Sequence, residues 1–351
     1  MGRGGFLGSV VIRELDVREF RGIRRLTKPL ELGGFNVLIG RNNVGKTAIL
    51  EALYLFAIPY TAYYLPPYGK KVIEFIAEAH GGTPSLIYGY SGTAVLRYLL
   101  NDVVKVRVFR GGEVSVSSVQ VRIDRDGSVK ASFDSVEVRG EDYVNLLKSL
   151  GAGLGRSVVA LYVPNNSEAF SKLYSYIMRG EVLSWIEKTG VHRRVVREIL
   201  TQAIYDRFTE VIVKGRELCV RKEVSEELGP LYVNVNSLGE GVRRVLLTYL
   251  VTEYLRPKIF LWDDIEVAAH PTLLESTIKW LAESGMQVVI STHSIDVLYA
   301  LTQVRPKDCK VIALRKNQED IVNYQTLTLD KLEEYLRTAT DIRKIVDELE
   351  L

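Results

Sequence analysis

Gly40-Arg41-Asn42-Asn43-Val44-Gly45-Lys46-Thr47 is the stretch on which the reading of this 351-residue chain turns. It fits the spacing G-x-x-x-x-G-K-[ST]. Glycines at its ends let the backbone wrap closely around an anion, so that successive N–H groups point at phosphate oxygens. Lys46 then reaches the outer phosphates, and the Thr47 hydroxyl is placed to ligate Mg²⁺. Upstream, Phe35-Asn36-Val37-Leu38-Ile39 suits a buried strand. Downstream, Ala48 to Phe56 sets Ile49, Leu50, Leu53 and Phe56 at helical spacing. Strand, tight turn and helix make the βα half of a nucleotide-binding unit, with the positive helix N-terminus facing the same anion.

Two later elements belong to the same chemistry. Ile259-Phe260-Leu261-Trp262 is an apolar strand that ends in Asp263-Asp264. Carboxylates at a strand end are how phosphate-loop enzymes hold Mg²⁺, commonly through water. Asp263 is the metal-side candidate, and Asp264 is placed to orient or deprotonate an attacking water. Val288-Val289-Ile290 then runs into Ser291-Thr292-His293-Ser294. A polar cluster at the end of a parallel strand faces the crevice where such sheets bind ligands, so His293 is a candidate γ-phosphate sensor. Short apolar strands separated by helical segments argue an α/β fold with a parallel or mixed sheet.

The remaining sequence sets limits. Lys plus Arg number 46 against 43 Asp plus Glu, a net charge of +3, and hydrophobic residues make up 47%. This is globular composition, which excludes disorder, collagen-like repeats and a supercharged nucleic-acid tail. No apolar run approaches the ~18 residues that cross a bilayer, and Met1 to Val11 makes a poor signal peptide. A soluble, cytoplasmic protein is expected. Cys219 and Cys309 fit neither a metal-ligand spacing nor a disulfide framework. Few Met beside plentiful Val, Arg, Glu and Tyr lean toward a thermophile.

Between the two ends, Val103 to Val138 alternates apolar and polar residues around Gly111-Gly112 and Asp126-Gly127 turns, an antiparallel β-meander. Pro59 to Tyr68 is rich in Tyr and Pro, and is expected as a surface loop whose rings pack on the domain. Ser167 to Phe208 is expected as helices broken at Gly180 and Gly190, followed by a hairpin over Glu210 to Val220. The expected division is residues 1–165 (first ATPase part with the meander), 166–235 (helical lobe) and 236–351 (core, C-terminal part). The segment after Glu319 is predominantly acidic.

Together the motifs resemble the ATPase heads of the RecF/SMC/OLD branch of the ABC class, P-loop NTPases that bind ATP and Mg²⁺. The resemblance rests on Val17-Arg18-Glu19-Phe20-Arg21-Gly22-Ile23, on the phosphate loop, and on Asn236-Ser237-Leu238-Gly239-Glu240-Gly241 as a signature motif. It rests also on Asp263-Asp264-Ile265-Glu266 with Ala269-His270-Pro271 as a Walker B segment, and on Ser291-Thr292-His293-Ser294 as a histidine switch. In this class two heads pair head-to-tail around two ATP molecules. The resemblance therefore implies that Ser237, Gly239 and Glu240 meet the nucleotide held at Lys46 of the other subunit, and that Arg21 lies near the nucleotide. Two departures stand out. Asp264 replaces the usual Glu, which predicts slow hydrolysis because a shorter side chain misplaces the water. The metal-sensing Gln has no clear counterpart, although Tyr162-Val163-Pro164-Asn165-Asn166 lies in about the right place.

The resemblance implies an ATPase whose ATP-dependent homodimer serves DNA maintenance or repair, or anti-element defence, with DNA and a separate nuclease or effector as partners. The short acidic segment after Leu314 supplies no nuclease domain. A switch or scaffold with little turnover is the alternative. A membrane-transporter subunit is disfavoured by Phe20-Arg21-Gly22 and Asn42-Asn43. Candidate nucleic-acid patches are Arg18, Arg21, Arg24, Arg25 and Lys28, and the basic residues from Arg193 to Lys222.

Overall fold

A computed structural model describes residues 10–58, 60, 65–109, 112–152 and 156–338. Five fully buried or largely buried strands form the parallel centre, in the order Cys309–Lys316, Phe35–Ile39, Gln287–Ser291, Ile259–Trp262 and Ala160–Val163. Their side chains divide by period two, as a pleated strand requires. Phe35, Val37 and Ile39 enter one core together with Phe260, Trp262, Val288 and Ile290. Leu38, Leu261 and Val289 enter the other. A sheet covered on both faces explains why these strands are continuous apolar runs.

The same sheet continues past Cys309–Lys316 into Ile321–Leu327, Ile23–Leu26, Ile12–Phe20, Thr93–Arg107, Glu113–Asp124, Val129–Phe133 and Val136–Val138, thirteen strands with Leu30–Glu31 paired to Ile12–Phe20. The last five of this path are antiparallel and one-sided: Val17, Leu96, Val121 and Ala131 are buried while their neighbours face outward. The expected meander is thus an extension of the main sheet and begins earlier, at Thr93. Of the Tyr/Pro-rich stretch, Pro59 and residues 61–64 lie outside the described residues. Tyr60 packs edge-on to Tyr143 at 5.8 Å, and Tyr68 stacks on Phe75 at 4.3 Å. Those two rings serve the fold.

The helix Lys46–Leu55 covers one face of the sheet through Ile49, Leu50 and Leu53. The other face carries Ser167–Ile177, Gly180–Thr189, Glu240–Leu255, Pro271–Glu283 and Ile295–Val304. The break at Gly190 is a left-handed C-cap, φ 70°. Where a hairpin is expected, three strands form a second sheet: Phe208–Lys214, Glu217–Ser225 and Gly229–Asn234. The third strand was not legible because Gly229-Pro230 looks like a break, and an edge strand tolerates proline. No helix among the described residues is long and apolar enough to cross a membrane. The acidic residues 339–351 lie outside the described part.

Candidate phosphate and metal site

The loop after Phe35–Ile39 turns through left-handed backbone at Gly40 (φ 146°), Asn43 (φ 63°) and Gly45 (φ 106°). At Gly40 a Cβ would come 2.5 Å from the Leu314 carbonyl oxygen, so both space and torsion exclude a side chain. Gly45 caps the helix Lys46–Leu55 with no side-chain hydrogen bond, and the first turn holds no acid. Its first N–H groups and helix dipole are therefore left to whatever anion enters the loop. Asn42 and Asn43 are exposed on the loop, and Val44 anchors it from beneath.

Lys46 is 6% exposed and donates to the carbonyls of Gly40 (3.0 Å) and Arg41 (2.9 Å). It spans the loop that it is meant to serve. Burial pushes its pKa down, while Asp264, Asp263 and Glu266 pull it back up. Thr47 Oγ1 donates to Asp263 Oδ2 at 2.8 Å, and Ser291 Oγ donates to Asp263 Oδ1 at 2.6 Å. One carboxylate thus ties the starts of three motifs, at the C-terminal ends of neighbouring parallel strands. Burial raises the Asp263 pKa, opposed by the Ser291 hydrogen bond. Two hard oxygens at one strand end suit Mg²⁺, which takes one or two protein ligands and fills its shell with water and phosphate. Among the described residues no group of three or more His, Cys, Asp and Glu forms a protein-only metal cage.

Asp264 turns away from its neighbour through left-handed backbone, φ 49°. Its N–H donates to Ser291 Oγ at 2.8 Å. Its carboxylate accepts from Asn165 Nδ2 at 3.1 Å and lies 4.0 Å from His293 Nε2. Glu266 Oε1 accepts from the His293 backbone N–H at 2.6 Å, while its Oε2 is buried with no hydrogen-bond partner. The structure therefore brings Lys46, Thr47, Asp263, Asp264 and His293 to one place. It adds Asn165, from the end of Ala160–Val163, whose position was legible but whose identity was not. It also adds Glu266, quoted in the motif without a role.

Ser237, Gly239 and Glu240 lie exposed at the start of Glu240–Leu255. Glu240 binds Arg243 (3.1 Å) and Arg244 (2.9 Å) within its own helix. Arg244 also donates to Asn165 Oδ1 at 2.8 Å, so a hydrogen-bonded chain runs from the signature segment through Asn165 to Asp264. Arg21 is engaged beside the phosphate-loop helix: it pairs with buried Glu51 and meets His80 Nδ1 at 3.1 Å. His80 Nε2 closes the triangle on Glu51 Oε1 at 2.8 Å. Glu51 was missed, although a carboxylate on the apolar face of a helix is itself a signal.

The two basic patches separate in the structure. In the segment 193–222, Arg193 and Arg221 pair with Glu210, and Lys222 pairs with Asp206. Arg194 pairs outside the segment, with Glu253, and eight Lys and Arg against four Asp and Glu leave residues 193–222 basic. In the first patch Arg21 is paired and Lys28 lies over the Tyr324 ring at 4.7 Å, whereas Arg18, Arg24 and Arg25 are exposed.

Residues 11–81 match the family model of the AAA ATPase domain. A protein of Methanocaldococcus jannaschii described as uncharacterized is 29% identical over 93 residues, 24% of this chain and 82% of that protein. A second from the same organism is 48% identical over 51 residues, 14% of this chain and 23% of that protein. Among solved structures, an Smc head bound to the C-terminal winged-helix domain of ScpA aligns with a TM-score of 0.64 at 13% identity, over 92% of this chain and 99% of that one. An Smc head with an extended coiled coil bound to the C-terminal domain of ScpA, from Pyrococcus furiosus, gives 0.60 at 12%, over 94% and 99%. The SMC head domain from Thermotoga maritima gives 0.53 at 14%, over 91% and 100%. At such identities the likeness is one of fold: a mixed sheet flanked by helices, as in those Smc head domains.

Proposed function

We propose that this chain, an ABC-type ATPase head in fold, binds ATP with Mg²⁺ and hydrolyses it slowly in a head-to-tail homodimer. The observation that carries the reading is Asp263, held between Thr47 of the phosphate loop and Ser291 of the switch strand. A carboxylate beside a helix N-terminus open to an anion supports metal and phosphate binding at one place. Thr47 and Asp263 would hold Mg²⁺, which when bound neutralises charge on the phosphate oxygens. Lys46 exchanges its two loop carbonyls for phosphate oxygens, a charge-assisted bond in a poorly solvated place. Asp264 accepts a proton from, or orients, the attacking water, with His293 alongside.

Asn165 takes the position of the metal-sensing Gln in this reading. Because Arg244 holds its other end, it couples the signature helix to Asp264. Ser237 and Gly239, exposed in the single head, complete the site of a second copy. Work on DNA in maintenance, repair or anti-element defence, in a cytoplasmic setting and with a separate effector protein, completes the proposal. Two similar heads are bound to ScpA domains, which supports a protein partner in kind.

One observation favours the alternative, a nucleotide-dependent switch with negligible turnover: the Asp264 carboxylate is shorter than the Glu of related heads and already engaged by Asn165. Solution mass with and without ATP, together with phosphate release, separates the two. We expect an ATP-dependent dimer with slow release, a loss of at least ~100-fold in release for Asp264→Asn, and faster release for Asp264→Glu. An ATP-dependent dimer without release in the native chain supports the switch instead, and an unchanged rate in Asp264→Asn removes that residue from the mechanism.

A further inference from the structure

The antiparallel arm of the sheet buries one face and leaves the other to solvent, and strand register places its outward residues in rows. Arg25 stands opposite Arg18, Arg18 opposite Val95, Val95 opposite Arg122, and Arg122 opposite Lys130. Four of five positions in one straight row across five strands are cations, and all four are exposed. At ~4.8 Å per strand the row is about 19 Å long.

Like charges directly opposite one another destabilise a sheet, and opposite charges stabilise it. This row contains two like-charge pairs, Arg18 with Arg25 and Arg122 with Lys130. The flanking rows hold three acids, Asp16 and Glu137 on one side and Asp124 on the other. Asp16 ion-pairs Arg18 at 3.1 Å, a solvent-exposed and readily exchanged contact, and Asp124 accepts from Thr93 and Ser128. Arg97 in the next row adds a fifth cation and holds Gln120 at 3.1 Å. A sheet that carries such repulsion in register is relieved by a polyanion laid along the row.

We propose that this row, Arg25-Arg18-Arg122-Lys130, is a docking surface for the phosphate backbone of double-stranded DNA. A duplex presents about one negative charge per ~1.7 Å of axis, on the order of ten along the row. Single strands are held by stacking on aromatic rings. Neither the row nor the one beside it, Asp16, Arg97, Gln120, Ser132 and Glu137, carries a ring. A lipid surface wants apolar side chains to insert, and the row offers only Val95. Contact is to backbone, so binding is independent of base sequence. The choice of DNA rests on the function proposed above; the surface itself rests on register alone, apart from the phosphate loop.

The test is anisotropy of a labelled random-sequence DNA duplex titrated with full-length protein, ATP and Mg²⁺ present, across a salt series. The variant Arg25→Glu/Arg122→Glu turns both like-charge pairs into opposite-charge pairs, so its melting temperature should equal or exceed the native one. Lys148→Glu/Lys279→Glu, on exposed helix positions, makes the same change in net charge. We expect at least a ~10-fold loss of affinity and a salt slope shallower by about two for the row variant, little change for the helix variant, and native basal phosphate release in both. Equal loss in the two variants, no duplex binding by the native chain at low salt, or row-dependent binding seen with an RNA duplex or phosphatidylserine vesicles but not with DNA overturns the proposal. Phosphate release is read separately, so failure of the surface and failure of the ATPase reading are distinguishable.

Discussion

Asp263 joins the phosphate loop to the switch strand through one carboxylate, which accepts from Thr47 and Ser291. It is 6% exposed, and burial raises its pKa against the pull of Ser291 and Thr47. A carboxyl whose folded pKa lies above its unfolded one is ionised more readily in the unfolded chain. The contribution of this one group to stability is therefore greatest below its unfolded value, near ~4, and is lost as pH rises through the folded value. Asp263→Asn removes the ionisation. In protein free of nucleotide and metal it should raise the melting temperature at neutral pH and flatten the dependence on pH above ~4. The same variant should lose Mg²⁺-dependent phosphate release. Scanning calorimetry across the pH range checks the first; a native pH profile retained in the variant would assign the raised pKa no role in stability. The neighbouring Asp264 has the opposite character, half-exposed and turned toward Asn165 and His293. Two adjacent acids thus meet different partners because strand alternation and one left-handed residue aim them apart.

At the scale of elements, the site is set by where strands end and helices begin. Gly241, in the first turn of Glu240–Leu255, shows how closely the signature helix meets the Walker B segment: a Cβ there would lie 2.1 Å from the Ala268 carbonyl oxygen. That contact is with backbone, so neither side gives way cheaply. Gly241→Ala should cost about 1–3 kcal/mol, a typical overpacking penalty. A thermal melt should fall by several degrees, and an unchanged melt would contradict the packing described. The central elements were legible because their signals are local: a fully apolar strand, a glycine turn, a helical period. Lys46, Thr47, Asp263 and His293 followed from such signals. Asn165 and Glu51 did not, since each acts through a partner far away in sequence, Asp264 for one and Arg21 for the other. The segment after Phe208 gained a third strand for a related reason: edge pairing depends on a neighbour rather than on its own residues.

For the whole molecule, the two ends of the chain build one sheet, with Phe35–Ile39 between Gln287–Ser291 and Cys309–Lys316. The middle of the chain folds outward on both sides, as the antiparallel arm and as helices with the small sheet. The near-neutral total of +3 hides a segregation that the structure refines: in the basic segment 193–222 several cations have acidic partners, Glu210, Asp206 and Glu253 among them, while the arm keeps its cations in register. In the proposed dimer the phosphate loop and the exposed signature segment of each head are complementary halves, and a two-fold axis brings the loop of one head to the signature segment of the other.

The measurement that tests this most directly mixes two inactive heads. Lys46→Ala should abolish nucleotide binding in one, and Gly239→Asp should spoil the signature in the other; each alone should release almost no phosphate. In the mixed dimer one composite site is intact, formed by the native phosphate loop of one head and the native signature of the other. With random pairing of equal amounts, the account predicts that mixing restores roughly a quarter of the native rate. A mixture as inactive as its components would contradict a site shared between two heads.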